Sequence, residues 1–85
     1  MIVFEPPVGI YLGIGQIRVV NSLQDAAECL MSEKWPGLRG AAFEKATLIL
    51  IAASAGFKNA DQARQAFASA AVEAGILVDP KLLVH

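Results

Sequence analysis

Three arginines are the side chains of this sequence that could most readily bind a charged ligand. Arg18, Arg39 and Arg64 fall on three different predicted elements, so a fold that brought them together would create an anion or phosphate site. The alternative for each is a surface ion pair, as between Arg64 and Asp61 three residues before it on one helix. Together with Trp35, the arginines form the candidate site of a ligand- or anion-binding regulator.

Nucleophilic catalysis and metal binding find little support in the residue types. The chain has one cysteine, Cys29, and one histidine, His85. A nucleophile needs a base oriented beside it, and a metal needs clustered ligands. His85 is the last residue, in a tail that we expect to be mobile, and Cys29 lies at the edge of an apolar helical stripe, where a small packing thiol is expected. We therefore expect no catalytic residue, metal or cofactor, and no enzyme activity.

Two further motifs have structural explanations. "GIGQ", residues 13–16, is followed by residues typical of a strand, whereas a phosphate loop leads into a helix N-terminus, so we predict a turn. Asp25 and Glu28 share one helix face, but Asp25 suits the first turn of that helix through the helix dipole. We expect both carboxylates to face solvent.

The composition bounds the class of protein. The 85 residues suffice for one domain, residues 1–85, with a core over residues 8–78 and a tail over residues 79–85. Hydrophobic residues make up 55% and charged residues 18%, which excludes disorder, and the net charge of −1 argues against nucleic acid. The start has no basic region of a signal peptide, and no apolar run could span a bilayer. With a single cysteine, we expect a cytoplasmic protein that does not bind membranes.

Residues 8–20 show the alternation of a β-hairpin. We predict a turn centred on Ile14-Gly15 that places Leu12 opposite Ile17. The same register places Ile10 opposite Val19 on the inner face, and Tyr11 opposite Arg18 on the outer face. Pro6-Pro7 is expected to separate a short upstream strand from this hairpin.

Three helices follow, each with its own boundary signals. Ser22 is a good N-cap for the first helix, which should end near Lys34. The second helix is predicted over residues 41–55 and is followed by Gly56. Asn59 and Gln62 form a capping box at the start of the third helix, and Gly75 ends it. Residues 76–78 form a candidate final strand. The predicted fold is α+β, with a small antiparallel sheet packed against three helices in the order ββαααβ.

Trp35 precedes Pro36 between the first two helices. The residue before proline is driven to an extended conformation, which turns the chain and points the indole toward the gap between the helices. We predict a buried, structural Trp35; the alternative is an exposed binding hot spot.

The ordered residues resemble the domain-of-unknown-function 982 family. The resemblance rests on "SLQDAA" at residues 22–27, "WP" at 35–36, "RG" at 39–40 and "ARQAFASAAVEAGI" at 63–76, and covers about residues 8–78. It implies a small bacterial protein of the kind common in alphaproteobacteria, and it brings no activity, substrate or catalytic residue with it. The second helix departs from the family pattern by being more uniformly apolar.

That second helix carries the functional hypothesis. At about 100° per residue, Phe43, Ala46, Leu50 and Ala53 share one face. The nearly opposite face is also apolar, and it consists of Leu48, Ile51, Ala52 and Ala55. We expect a non-enzymatic interaction module in which this second face forms a homodimer, with a further protein partner left open. The alternative is a central helix that the rest of the chain covers.

Overall fold

The computed structural model describes residues 2–83, and the predictions about Met1, Val84 and His85 lie outside them. The regular elements are β1 (Val3–Gly13), β2 (Gln16–Ser22), α1 (Leu23–Met31), α2 (Ala41–Ser54), α3 (Ala60–Ala74) and a 3₁₀ helix (Pro80–Leu83). β1 and β2 form an antiparallel two-stranded sheet, and the three helices complete an α+β fold, which confirms the predicted class. No helix within residues 2–83 has the length and apolar character needed to cross a bilayer.

The hairpin turns at Ile14-Gly15 as predicted, but the register predicted beyond the turn is wrong. Gly13 pairs with Gln16, and the next pair is Tyr11 with Ile17, so that Leu12 is an extra residue in β1. Such a bulge reverses which side chains of the partner strand face inward. Arg18 pairs with Ile10 instead of Tyr11.

The bulge also changes which residues of β2 are buried. Val20 is fully buried, whereas Ile17 and Val19, predicted to face inward, are exposed. The shift places Val20 beside Val8 on the inner face, where the helices pack.

β1 is longer than predicted and continues through Pro6-Pro7. The predicted separation of an upstream strand at these prolines is therefore wrong. The prolines coincide instead with a second register shift, since Val3 pairs with Ser22 and Val8 with Val20. Four residues of β1 therefore oppose one residue of β2, and the two prolines, which have no N–H, fall in the unpaired segment.

The candidate C-terminal strand is present only as a bridge. Ile10 pairs with Leu77 in an isolated antiparallel bridge, and Tyr11 N and Val78 N donate to Ile76 O and Gly9 O. These contacts fasten residues 76–78 to the free edge of β1, but the segment is too short to form a third strand.

The helix ends agree with the local signals, except at the end of α1. Ser22 Oγ accepts a hydrogen bond from Asp25 N at 3.1 Å, which confirms the α1 cap. Asn59 and Gln62 form the predicted capping box of α3, and Gly75 ends that helix in the left-handed conformation at φ 73°. α1 ends at Met31, three residues before the predicted Lys34, and Ser32 takes the extended conformation.

The core lies between the inner face of the sheet and the helices. Phe67 of α3 is fully buried and packs near Phe4 of β1, with the ring centroids 6.5 Å apart. Trp35 is only 6% exposed, which confirms the predicted burial, and its ring meets Phe43 and Phe67 edge-on at 5.5 and 5.9 Å. The indole Nε1 donates to Leu38 O at 3.2 Å, so that its one polar atom is satisfied within the loop.

Candidate functional site

α2 is apolar on two opposite faces, and its outward face is exposed to solvent. The inner face behaves as predicted, since Ala46, Leu50 and Ala53 are buried. On the opposite face, Leu48 is 68% and Ile51 is 60% exposed. Ala55 is exposed as well, whereas Ala52 is half-buried. Neither the sheet nor the other helices cover this face.

A groove of about 720 Å³ runs between α1 and α2, beside the exposed face. Its residues, all uncharged, come from α1, α2 and the start of the chain. Leu30 and Leu50 are buried at its base, and Met31 stands at its rim with 84% of its surface exposed. The groove is therefore an apolar depression that is open to solvent.

Ile51 joins the groove to the outward face of α2. It lines the groove together with Met31, and it follows Leu48 by one helical turn. Leu48, Ile51 and Met31 thus belong to one continuous apolar surface, which we call the α1–α2 surface. The contribution of α1 was missed at the sequence level, although Leu23, Ala27 and Met31 recur at every fourth position, which is the spacing of a helical stripe.

The outer face of the hairpin is a second apolar patch. Tyr11 pairs with Ile17, and Val19 lies next along β2. These three side chains are 36–47% exposed, less than Leu48, Ile51 or Met31. The α1–α2 surface is therefore the more exposed of the two.

The candidate anion site is divided among separate contacts. Arg18 reaches α1, where its Nη2 lies 3.3 Å from Glu28 Oε2 and 3.8 Å from Asp25 Oδ1. Arg64 Nη2 lies 3.0 Å from Asp61 Oδ1, the pairing within one helix that was the alternative to a shared site. Within residues 2–83, these two arginines share no hydrogen-bond or ion-pair partner.

Arg39 and Trp35 are the two members of the candidate anion site that lie near each other. The guanidinium carbon of Arg39 lies 5.8 Å from the centroid of the Phe43 ring, and Trp35 packs against the same ring. Arg39 Nη2 also donates to Ser32 O at 2.8 Å. Since Trp35 is buried and its Nε1 is bonded to Leu38 O, the indole presents no polar atom to a ligand.

One polar atom of this set stays without a partner. Arg64 Nε is buried and has no hydrogen-bond partner among residues 2–83. The rest of the guanidinium reaches the surface and Asp61, and 22% of the side chain is exposed. Arg64 therefore extends from the protein interior to solvent.

Glu73 has a role that the sequence did not reveal. Its carboxylate accepts hydrogen bonds from Gly40 N, Ala42 N and Phe43 N at the start of α2. The positive end of the helix dipole, which otherwise attracts anions, is thereby occupied by a carboxylate of the chain itself. No local signal links Glu73 to a helix that begins more than thirty residues earlier.

Cys29 is buried in α1 and has no disulfide partner. Burial raises the pKa of its thiol above the ordinary value, and the nearby Arg18 guanidinium opposes this only in part. A thiol with a raised pKa is a weaker nucleophile, and the burial of Cys29 agrees with the packing role expected for it. Within residues 2–83, no group of three or more His, Cys, Asp or Glu side chains is placed to hold a metal ion.

Comparison with known proteins places the chain in a family without assigning an activity. No curated protein and no solved structure shows significant similarity to it. A family profile described as "Protein of unknown function (DUF982)" matches residues 6–78, and this match includes the three α-helices and most of the hairpin. The chain, with its hairpin followed by three helices, therefore belongs to the DUF982 family.

Proposed function

We propose that the protein is a non-enzymatic interaction module that works as a homodimer, with the outward face of α2 at the contact. The observation that carries the proposal is the exposure of Leu48 and Ile51 on a helix whose other face is already buried. The alternative of an internally covered helix requires both faces to be buried, and the single protomer buries one.

The free energy available from this face is large for so small a domain. Burying it would remove roughly 300–400 Å² of apolar surface, or about 8–10 kcal/mol before association costs. A twofold axis beside Ile51 would bring Ile51 close to its symmetry mate and place Leu48 against the partner protomer. Ala52 and Ala55, on the same face, are small enough to let the two helices approach closely.

The proposal also assigns a compartment. Cys29 is free and buried, and a chain without disulfides is suited to a reducing environment. We place the protein in the cytoplasm on this ground, which subcellular fractionation followed by immunoblotting tests.

Light scattering on the wild-type protein tests the proposal directly. We expect a dimer at about 10–50 µM, in the usual range of specific interfaces. The double variant Leu48→Glu with Ile51→Lys should give a folded monomer, because both side chains are exposed in the protomer and their replacement costs it little. Val72→Glu is the matched control, since Val72 is 61% exposed on α3, outside the α1–α2 surface.

Two results would contradict the proposal. A wild-type protein that stays monomeric at these concentrations excludes a functional homodimer. A dimer that survives the double variant forms through another surface, for which the hairpin patch of Tyr11, Ile17 and Val19 is the first alternative.

A further inference from the structure

We infer that the groove between α1 and α2 is the second half of the dimer interface and that it receives Leu48 of the partner protomer. The inference rests on the proposed homodimer and deepens it, because it assigns the occupant of the groove and adds α1 to the contact. Met31, Ala27 and Leu23 then become interface residues in addition to those of α2.

The size of the α2 face requires such an extension. Stable interfaces bury about 800 Å² per partner, whereas the outward face of α2 alone supplies roughly half of that. The missing area must come from surface next to Leu48 and Ile51. The groove is that neighbour, since Ile51 is part of both.

Twofold symmetry identifies the side chain of the partner protomer that would fill the groove. Around α2, Leu48 lies about 60° to one side of Ile51, and Ser54 in the groove wall lies about 60° to the other side. A twofold axis that lies in the contact plane beside Ile51 and runs parallel to α2 exchanges these two sides between protomers. The ridge formed by Leu48 of one protomer therefore faces the groove of the other, and the same contact occurs twice.

The chemistry of the groove suits an aliphatic side chain. None of its lining residues carries a charge, so burying the groove leaves no charge unpaired. The hydroxyl groups in its wall already have partners: Thr47 Oγ1 donates to Phe43 O at 3.1 Å, and Ser54 Oγ donates to Ile51 O at 2.7 Å. A partner that brings only methyl groups leaves these hydrogen bonds in place.

Three single variants of the full chain test the inference, with the dimer dissociation constant measured by sedimentation. Met31→Glu changes a residue at the rim of the groove that is 84% exposed in the protomer. The variant should therefore fold normally, with an unchanged thermal melting midpoint. We expect Met31→Glu to weaken the dimer at least about tenfold, as Leu48→Glu does, because either change buries an unpaired carboxylate. Val72→Glu should leave the dissociation constant unchanged.

The outcomes separate the two proposals. If Leu48→Glu weakens the dimer and Met31→Glu behaves like Val72→Glu, the groove lies outside the interface, so the inference fails and the homodimer stands. If neither variant weakens the dimer, or if the wild type is a monomer, both proposals fail. A monomer that binds a fluorescent long-chain fatty acid would instead assign the groove to a small apolar ligand, which also overturns the inference.

Discussion

The carboxylate of Glu73 lies against Gly40 and accepts a hydrogen bond from its backbone N–H at 3.1 Å. The same carboxylate accepts from Ala42 N at 3.0 Å and from Phe43 N at 3.3 Å. α2 has no side-chain cap of its own, so a residue near the end of α3 supplies the cap. A Cβ atom on residue 40 would lie only 3.0 Å from the Glu73 carboxylate, so a larger residue there would displace this carboxylate.

Removing the Glu73 carboxylate should therefore destabilise the start of α2. Glu73→Ala leaves three backbone N–H groups without an acceptor, and we expect a loss of about 1–2 kcal/mol in the free energy of unfolding. Glu73→Gln keeps one acceptor oxygen and should lose less. Urea unfolding followed by circular dichroism measures both.

The control for Glu73 is Glu44→Gln, which removes a carboxylate from the first turn of the same helix without removing a hydrogen bond. Only a few tenths of a kcal/mol are expected there, from the helix dipole. Equal losses for Glu73→Gln and Glu44→Gln would show that charge near the helix end, and not the cap, is what matters.

Trp35→Ala should cost about 3–5 kcal/mol, as for other large buried aromatic side chains. The indole packs against Phe43 and Phe67, so its loss opens a cavity in the core. Trp35→Phe should cost less, because it keeps the aromatic packing and loses the hydrogen bond to Leu38 O. Thermal melting compares these variants with Phe57→Ala, which removes an exposed aromatic; a midpoint for Trp35→Ala as high as that of Phe57→Ala would contradict the structural role.

Ser22→Ala should lose about 1 kcal/mol, since it removes the oxygen that accepts from Asp25 N at the start of α1. Ser22→Thr keeps a hydroxyl in the same position and should retain most of the stability. Chemical unfolding of both variants distinguishes the cap from simple packing: if threonine, the larger side chain, loses as much as alanine, the hydroxyl group is not the stabilising feature.

The Cys29 thiol should make stability depend on alkaline pH. Its folded-state pKa is raised by burial above the ordinary value of 9.0, so the folded protein holds this proton more tightly than the unfolded chain does. The resulting stabilisation is fully present below the unfolded pKa and is lost as the pH rises through the folded pKa. The difference in unfolding free energy between wild type and Cys29→Ala should therefore shrink above pH 9.0, the ordinary thiol value. A difference that stays constant from neutral to alkaline pH would show that the thiol does not titrate differently in the two states.

Features that depend on neighbours in the chain were predictable. Ser22 and Asn59 cap their helices because a side-chain oxygen reaches an N–H group three residues on, a contact that needs no other part of the fold. Gly75 ends α3 because glycine adopts the left-handed conformation without a Cβ clash. The buried face of α2 also followed from its helical periodicity.

The strand register of the hairpin was not predictable from local sequence patterns. The turn at Ile14-Gly15 was predicted correctly, and alternation then favoured burying Ile17 and Val19. The bulge at Leu12 reverses that choice and buries Val20 instead. Either register pairs the two strands through the same turn, and only packing against the helices decides between them.

The sequence by itself determined the class of fold, the starts of the three α-helices, the burial of Trp35 and the presence of two apolar faces on α2, because each follows from short-range backbone and periodicity rules. Tertiary structure decided which groups from distant segments meet. It alone separated Arg18 from Arg64, brought Glu73 to the start of α2 and left a groove between α1 and α2 beside the uncovered Leu48. The physical reason is that such contacts depend on how whole elements pack, and packing depends on the combined shape of many side chains that no local pattern encodes.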